Sequence, residues 1–430
     1  MNKQKIAVIG SGIAGLSTSF FLSKFFDVHL FEKNSKLGGH TRTVNFTHNN
    51  KELSIDTGFI VFNEKNYPDL TSFFKYLKVP TENSNMSFSV SSTLPNIEYG
   101  GSSLNTLFAQ RKNIFSIKFI LLIYEIMKFY KKSKKIIEKK YNENLTIEEF
   151  LIENNFSKHI RQLHIYPMIS SIWSTNEIDV KNFPFIFFLK FFSNHGLFDL
   201  NNRPQWKYVL NGSYSYIDSL IKKNLFSYTL NSTIKTVLRR GGKIYLVDEN
   251  NKENIFDKII FANHADQALK LLDSPTKEEK NILSNFNYTS SKAFLHFDDR
   301  FMPKKTLAWS SWNFLQNTNN IDSFSLTYWM NRLQNIKEST NFFVTINPNI
   351  RPNNIIDSTL FEHPVFNLNT IQAQKELSLI QGIKNTYFCG SYCGYGFHED
   401  GIQSAAYISK ILNVELPWTR SLHFKTRLTY

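Results

Sequence analysis

The run Ile6-Ala7-Val8-Ile9-Gly10-Ser11-Gly12-Ile13-Ala14-Gly15 opens the chain almost at its N-terminus. Its first four residues read as a strand buried on both faces, the pattern of a parallel sheet. The six that follow fit G-x-G-x-x-G, and a helix should begin at once, with Ile13, Leu16, Phe20 and Phe21 recurring on one face. A second strand, Val28-His29-Leu30-Phe31, then ends in Glu32, with Lys33 beside it. The motif alone is weak, but a strand before it, a helix after it and an acid near the expected distance make it a dinucleotide site. Gly10 permits the turn, Gly12 lets the backbone approach a pyrophosphate, and Gly15 lets the helix pack closely, while free amides at Ile13 and Ala14 face the phosphates. Glu32 would accept hydrogen bonds from ribose hydroxyls.

Outward from that run, 430 residues with 42% hydrophobic, 15% aromatic and 20% charged content predict two or three packed domains. Disorder, collagen-like repetition and a disulfide scaffold are excluded. Cys389 and Cys393 are the only cysteines, which fits a reducing compartment, and no zinc-type spacing or other metal motif occurs. The apolar run after Lys5 is too short for a signal peptide, and no window is apolar enough to span a bilayer. The expectation is a cytoplasmic protein that does not cross a membrane.

Further along, Tyr67 to Leu77 is amphipathic, and a helical region with few turn signals is expected over about 104–195. Arg240-Gly241-Gly242-Lys243 should turn a hairpin. Short strands are expected at 258–262, 291–297, 323–329, 341–346 and 386–389, with a last helix from about Gly401 to Leu412. The fold class is therefore α/β: a Rossmann-like nucleotide-binding domain assembled from 1–85, 206–285 and 380–415. An α+β substrate domain, 86–205 and 286–379, is inserted in it, its helical part at about 104–195 and its sheet part at 286–379. Residues 416–430 form a basic, aromatic tail.

Lys36-Leu37-Gly38-Gly39-His40-Thr41 places a second glycine turn just after the acidic strand. With Asp56-Thr57-Gly58-Phe59 and the C-terminal run Cys389-Gly390-Ser391-Tyr392-Cys393-Gly394, it resembles the flavin-containing amine oxidase superfamily, which includes protoporphyrinogen oxidases and carotenoid desaturases. Strings such as DTGFIVFNEKNYP (56–68), FFSNHGL (191–197), TYWMNRLQ (327–334) and GYGFHEDG (394–401) are similar to one bacterial branch of predicted NAD/FAD-binding, amine-oxidase-like proteins. The likeness runs from Lys5 to about Leu412. It implies a Rossmann-like FAD domain of the amine oxidase and protoporphyrinogen oxidase type. It implies FAD held also by Gly38, Gly39, His40, Thr41, Thr57, Gly58, Phe59, Ile234, Gly390 and Ser391, with Gly401 and Ile402 on a final helix aimed at the flavin. Two departures stand out. His40 replaces an arginine common in the superfamily, leaving Arg42 as a candidate substitute, and Ser391 replaces an acid. The branch keeps company with fatty-acyl-modifying synthases, which implies a lipid substrate by analogy.

Because flavin itself accepts the electrons, few catalytic side chains are needed. Lys292 falls where amine oxidases carry a lysine that holds a water near the flavin; the competing reading is a strand residue facing solvent. His398, between Phe397 and two acids, is a candidate acid or base, while Glu399 and Asp400 also suit a helix cap. Trp173, Trp309, Trp312, Tyr328 and Trp329 are candidates for an apolar substrate pocket, with a structural core role as the alternative.

The net charge of +14 is concentrated. Between Arg111 and Lys140 ten basic residues face two acids, around the apolar run Phe119 to Tyr124. That composition suits a helix lying on an anionic membrane surface, and equally the solvated face of an ordinary helix. The tail repeats the mixture as a second contact or a frayed end. Nucleic acid is disfavoured, since no binding motif accompanies the charge.

These readings converge on an FAD-dependent oxidoreductase that removes hydride from a hydrophobic substrate, desaturating or oxidising a membrane-lipid acyl chain. The same-class alternative is a flavin amine oxidase. The alternative of another class is a non-catalytic FAD-binding partner of a lipid-modifying enzyme. No second G-x-G-x-x-G for NADPH and no nucleophile elbow occur.

Overall fold

A computed structural model describes residues 3–137, 142–199, 203–316, 324–422 and 424–430. The expected first strand is Lys5–Ile9, and it sits in the middle of a five-stranded parallel sheet. The sheet runs Ser227–Thr229, Asp27–Phe31, Lys5–Ile9, Lys258–Phe261, Thr386–Phe388, so segments from the start, middle and end of the chain meet in one layer. Ile6, Ala7 and Val8 are wholly buried, as a two-sided central strand requires. The helix α1, Ile13–Leu22, returns across this sheet, and α2, Pro68–Leu77, packs beside it. The hairpin at Arg240–Lys243 forms with Gly241 and Gly242 both at positive φ, as its turn requires.

A seven-stranded sheet forms the second layer, in the order Ile355–Val365, Asn287–His296, Phe343–Ile346, Ser325–Trp329, Trp312–Gln316, Phe88–Thr93, Asn96–Gly100. Three of its strands, 96–100, 312–316 and 355–365, lie outside the expected ones. Ser323, at the start of one expected strand, lies outside the described residues.

The expected helical region is a series of short helices around one long one, α3, Ile117–Ile137. Its core is built from phenylalanine: Phe119, Phe129, Phe150, Phe185, Phe188 and Phe192 are all but inaccessible. The last helix, α4, spans His398–Ile411 and begins three residues before the expected Gly401. Asp400 starts it, because its carboxylate accepts the Phe397 N–H at 2.8 Å.

The tail is no frayed end. Arg420 forms two hydrogen bonds to the buried Asp69 carboxylate, and Trp418 donates a third. Arg427 is buried, 3.6 Å from Asp400, and lies over the Tyr67 ring at 4.7 Å. These cations are committed to internal acids and cannot serve as a second surface contact; His423 lies outside the described residues. Both cysteines are buried and unpaired.

Candidate functional site

The two sheets enclose one cavity of about 1460 Å³. Single-ligand pockets hold about 300–1,000 Å³, so this one has room for a cofactor and a substrate together. Its floor at one end is the glycine turn. A Cβ on Gly12 would meet nothing within 4 Å, so this position opens onto the cavity as a phosphate cradle needs. Gly15 differs: its Cβ would lie 1.8 Å from the Gly10 carbonyl oxygen, so it serves packing and does not line the cavity. Gly10, Gly12, Ile13, Ala14, Glu32 and Lys33 do line it. Glu32 is fixed through Oε2 by the Ser11 N–H and hydroxyl and through Oε1 by the Asn34 N–H. Carboxylate oxygens accept more than one bond, which leaves capacity for a ribose hydroxyl.

The second glycine turn closes against the first, with Gly39 a Cβ distance of 3.1 Å from the Gly12 Cα. Gly38, His40, Thr41, Thr57, Gly58, Phe59, Ile234, Gly390 and Ser391 line the cavity as expected. Gly401 and Ile402 do not. A Cβ on Gly401 would sit 2.7 Å from Ile13 Cγ2, and Ile402 is in the core, so both hold α4 against α1 behind the cavity wall. Arg42 does not replace the missing arginine freely, because its guanidinium is 2.6 Å from Asp357 and 3.1 Å from Thr57 Oγ1. His40 stacks on Phe361 and its buried Nε2 has no partner. Burial, then nearby His264, lowers its pKa to about 4, so the imidazole is neutral where the superfamily places a permanent cation.

His398 lines the cavity at the first turn of α4. Its Nε2 lies 2.9 Å from Thr41 Oγ1, which also meets the Tyr216 hydroxyl at 2.7 Å, and its ring stacks on Phe59 at 3.8 Å. Burial, then His40, pushes its pKa down to about 3. The flanking acids do not tune it, because neighbours along a helix point apart. Glu399 instead accepts the Asp69 and Leu70 N–H groups and so caps α2, while Asp400 caps its own helix. The candidate acid or base is therefore a neutral, hydrogen-bonded imidazole.

Lys292 is corrected outright. On its strand Ala293 and Leu295 turn inward to the core shared with Tyr328, whereas Lys292 is exposed and rests 5.1 Å over Phe294. It is not among the residues that line the cavity, to which this strand contributes Tyr288. Strand parity does separate Tyr328 from Trp329. Trp312 and Tyr328 are paired across two strands and line the cavity with Trp173. Trp329 follows Tyr328 and must point the other way; it packs edge-on against Trp309 at 5.4 Å, and neither lines the cavity.

From Phe397, the residue before His398, a continuous set of ring contacts leads to Trp173, Phe191, His195 and Trp206. Met86, Phe88, Met168, Ile172 and Leu197 complete this apolar end, and Trp312 Nε1 in it is buried without a partner. Most of these escape sequence reading, since nothing local distinguishes a pocket aromatic from a core one; FFSNHGL was the available signal for Phe191, His195 and Leu197. Arg203 also lines the cavity, held by Nε to the Asp199 carbonyl at 2.9 Å.

A glycine-turn parallel sheet facing a mixed sheet across a cavity is the amine oxidase type of fold, and the open face at Gly12, the anchored Glu32 and the neutral rim of His40 and His398 fit FAD. Residues 8–77 match the family described as NAD(P)-binding Rossmann-like domain. The CLA-producing fatty acid isomerase from P. acnes is similar in structure, with a TM-score of 0.69 at 14% identity over 96% of this chain and 99% of that one. Cyclohexylamine oxidase from Brevibacterium oxydans is similar too, at TM-score 0.68 and 12% identity, covering 96% and 100%. Putrescine oxidase bound to putrescine gives 0.68 and 12% over 95% and 99%. At such identities the likeness is one of fold. No curated protein matches the sequence significantly.

Proposed function

We propose that this chain is an FAD-dependent oxidoreductase that removes a hydride from the apolar chain of an acid-headed lipid or fatty acyl substrate. One observation carries the reading: the nucleotide end of the cavity is continuous with a large aromatic end whose charged lining residue is Arg203. The acids lining the cavity, Glu32, Asp218, Asp357 and Glu362, come from other elements than those that supply the aromatic end. Among the described residues a cationic amine would find no carboxylate from those elements, whereas a carboxylate or phosphate would find a guanidinium. The fatty acid isomerase of the same fold supports the idea that such a frame accommodates an acyl chain.

Bound FAD supplies the two-electron acceptor. The chain's own groups bind and orient: the α1 N-terminus and Glu32 hold the dinucleotide, and Trp173, Phe191, Trp312 and Tyr328 fix an extended chain and exclude water. Neutral His398 holds the Thr41 hydroxyl and the Phe59 ring in place at the junction of the two ends. Anaerobic mixing of the purified flavoprotein with acyl lipids tests this. Flavin bleaching and a product two hydrogens lighter are expected, with a raised KM in Arg203→Gln for acid-headed substrates alone. Bleaching by simple alkylamines with peroxide release, and none by lipids, would overturn it in favour of an amine oxidase.

A further inference from the structure

The outward face of α3 is apolar in its first three turns and basic in its last two. Phe115, just before the helix, is 89% exposed and Ile117 is 77% exposed, and Ile120, Leu121, Tyr124 and Met127 continue the patch. On the helical repeat Lys128, Lys131 and Lys135 lie on the same side, while Phe119, Leu122, Phe129 and Tyr130 face the core. Glu125 is turned inward, accepting the Ser157 N–H at 2.9 Å and its hydroxyl, so among the described residues no acid interrupts the outer face. Glu138, Lys139 and Lys140 lie outside them. A contiguous exposed apolar patch of this kind marks an interaction surface, and cations continuing it specify an acidic partner with an apolar interior.

We propose that this face docks on an anionic lipid bilayer, with Phe115, Ile117 and Leu121 at the boundary of headgroup and acyl chain and Lys118, Lys131 and Lys135 among the headgroups. No helix among the described residues is long and apolar enough to cross a membrane, so the helix lies in the surface plane. The surface is joined to the cavity: Lys134 is 2.5 Å from Asp199, whose carbonyl holds Arg203 at the cavity wall. The docking inference stands on the exposed face alone and does not depend on the redox reading.

Flotation of the full-length, flavin-loaded protein with vesicles tests it. With phosphatidylcholine–phosphatidylglycerol vesicles the wild type should float, and with phosphatidylcholine alone at least about tenfold less should do so. Phe115→Ser/Ile117→Ser/Leu121→Ser and Lys118→Gln/Lys131→Gln/Lys135→Gln should each weaken flotation at least about tenfold, with thermal stability and flavin content unchanged. A wild type that stays unbound to the anionic vesicles, or either variant floating as well as it, overturns the proposal. So does a dimer in solution that the serine variant alone converts to monomer, which would make the face a contact between copies. None of these outcomes touches flavin reduction, so the proposed reaction is judged separately.

Discussion

Gly15 packs so closely on Gly10 that a methyl group at Gly15 would stand 1.8 Å from the Gly10 carbonyl oxygen, whereas one at Gly12 would meet nothing. Two glycines three residues apart in one motif thus fail in different ways. Gly15→Ala should cost about 1–3 kcal/mol or more of stability through overpacking, read by chemical denaturation. Gly12→Val should unfold at the wild-type temperature yet purify without flavin. A colourless but stable Gly15→Ala, or a yellow Gly12→Val, would show that the cavity end is misassigned.

Acid should destabilise the protein through its buried histidines. In His164, His195 and His398 burial is the largest cause and lowers the pKa values to about 3. Since the unfolded imidazole titrates near about 6.5, the unfolded chain binds more protons below that pH. Their contribution is complete above about pH 6.5 and is lost as pH falls toward 3, by up to about 1.4 kcal/mol per histidine per pH unit. Unfolding midpoints measured from pH 7.5 to 5 check this, and a flat profile would show the imidazoles to be solvated.

Arg427 neutralises a buried acidic region. Replacing it with Met leaves Asp400 without its cation, and breaking such a pair typically costs about 3–5 kcal/mol. Burial already raises the Asp400 and Glu399 pKa values, with Arg427 opposing the shift. The penalty should therefore shrink as pH falls and these acids take up protons. Denaturation of the variant at pH 8 and pH 6 measures the difference, and an equal loss at both would locate the effect in packing.

Lys292 on the solvent side of its strand leads to a negative expectation. Lys292→Met should change turnover less than about twofold, as befits an exposed residue whose loss leaves packing intact. A loss of hundredfold or more in turnover with normal stability would place the amine at the reacting centre.

What the sequence by itself determined is local: the strand at 5–9, the glycine turn, the acid at Glu32, the hairpin at 240–243 and the basic, apolar run after Arg111. Each depends on side-chain period or on backbone freedom within a few residues, which short windows carry. The tertiary structure alone decided which face each residue shows. Tyr328 and Trp329 are adjacent and equally aromatic, yet strand parity sends one to the cavity and the other to its back. Lys292, on a strand that contributes Tyr288 to the cavity, is exposed and does not line it. Glu399 caps a helix more than three hundred residues away, and Arg427 is buried against Asp400, because long-range packing sets charge partners that spacing along the chain cannot express.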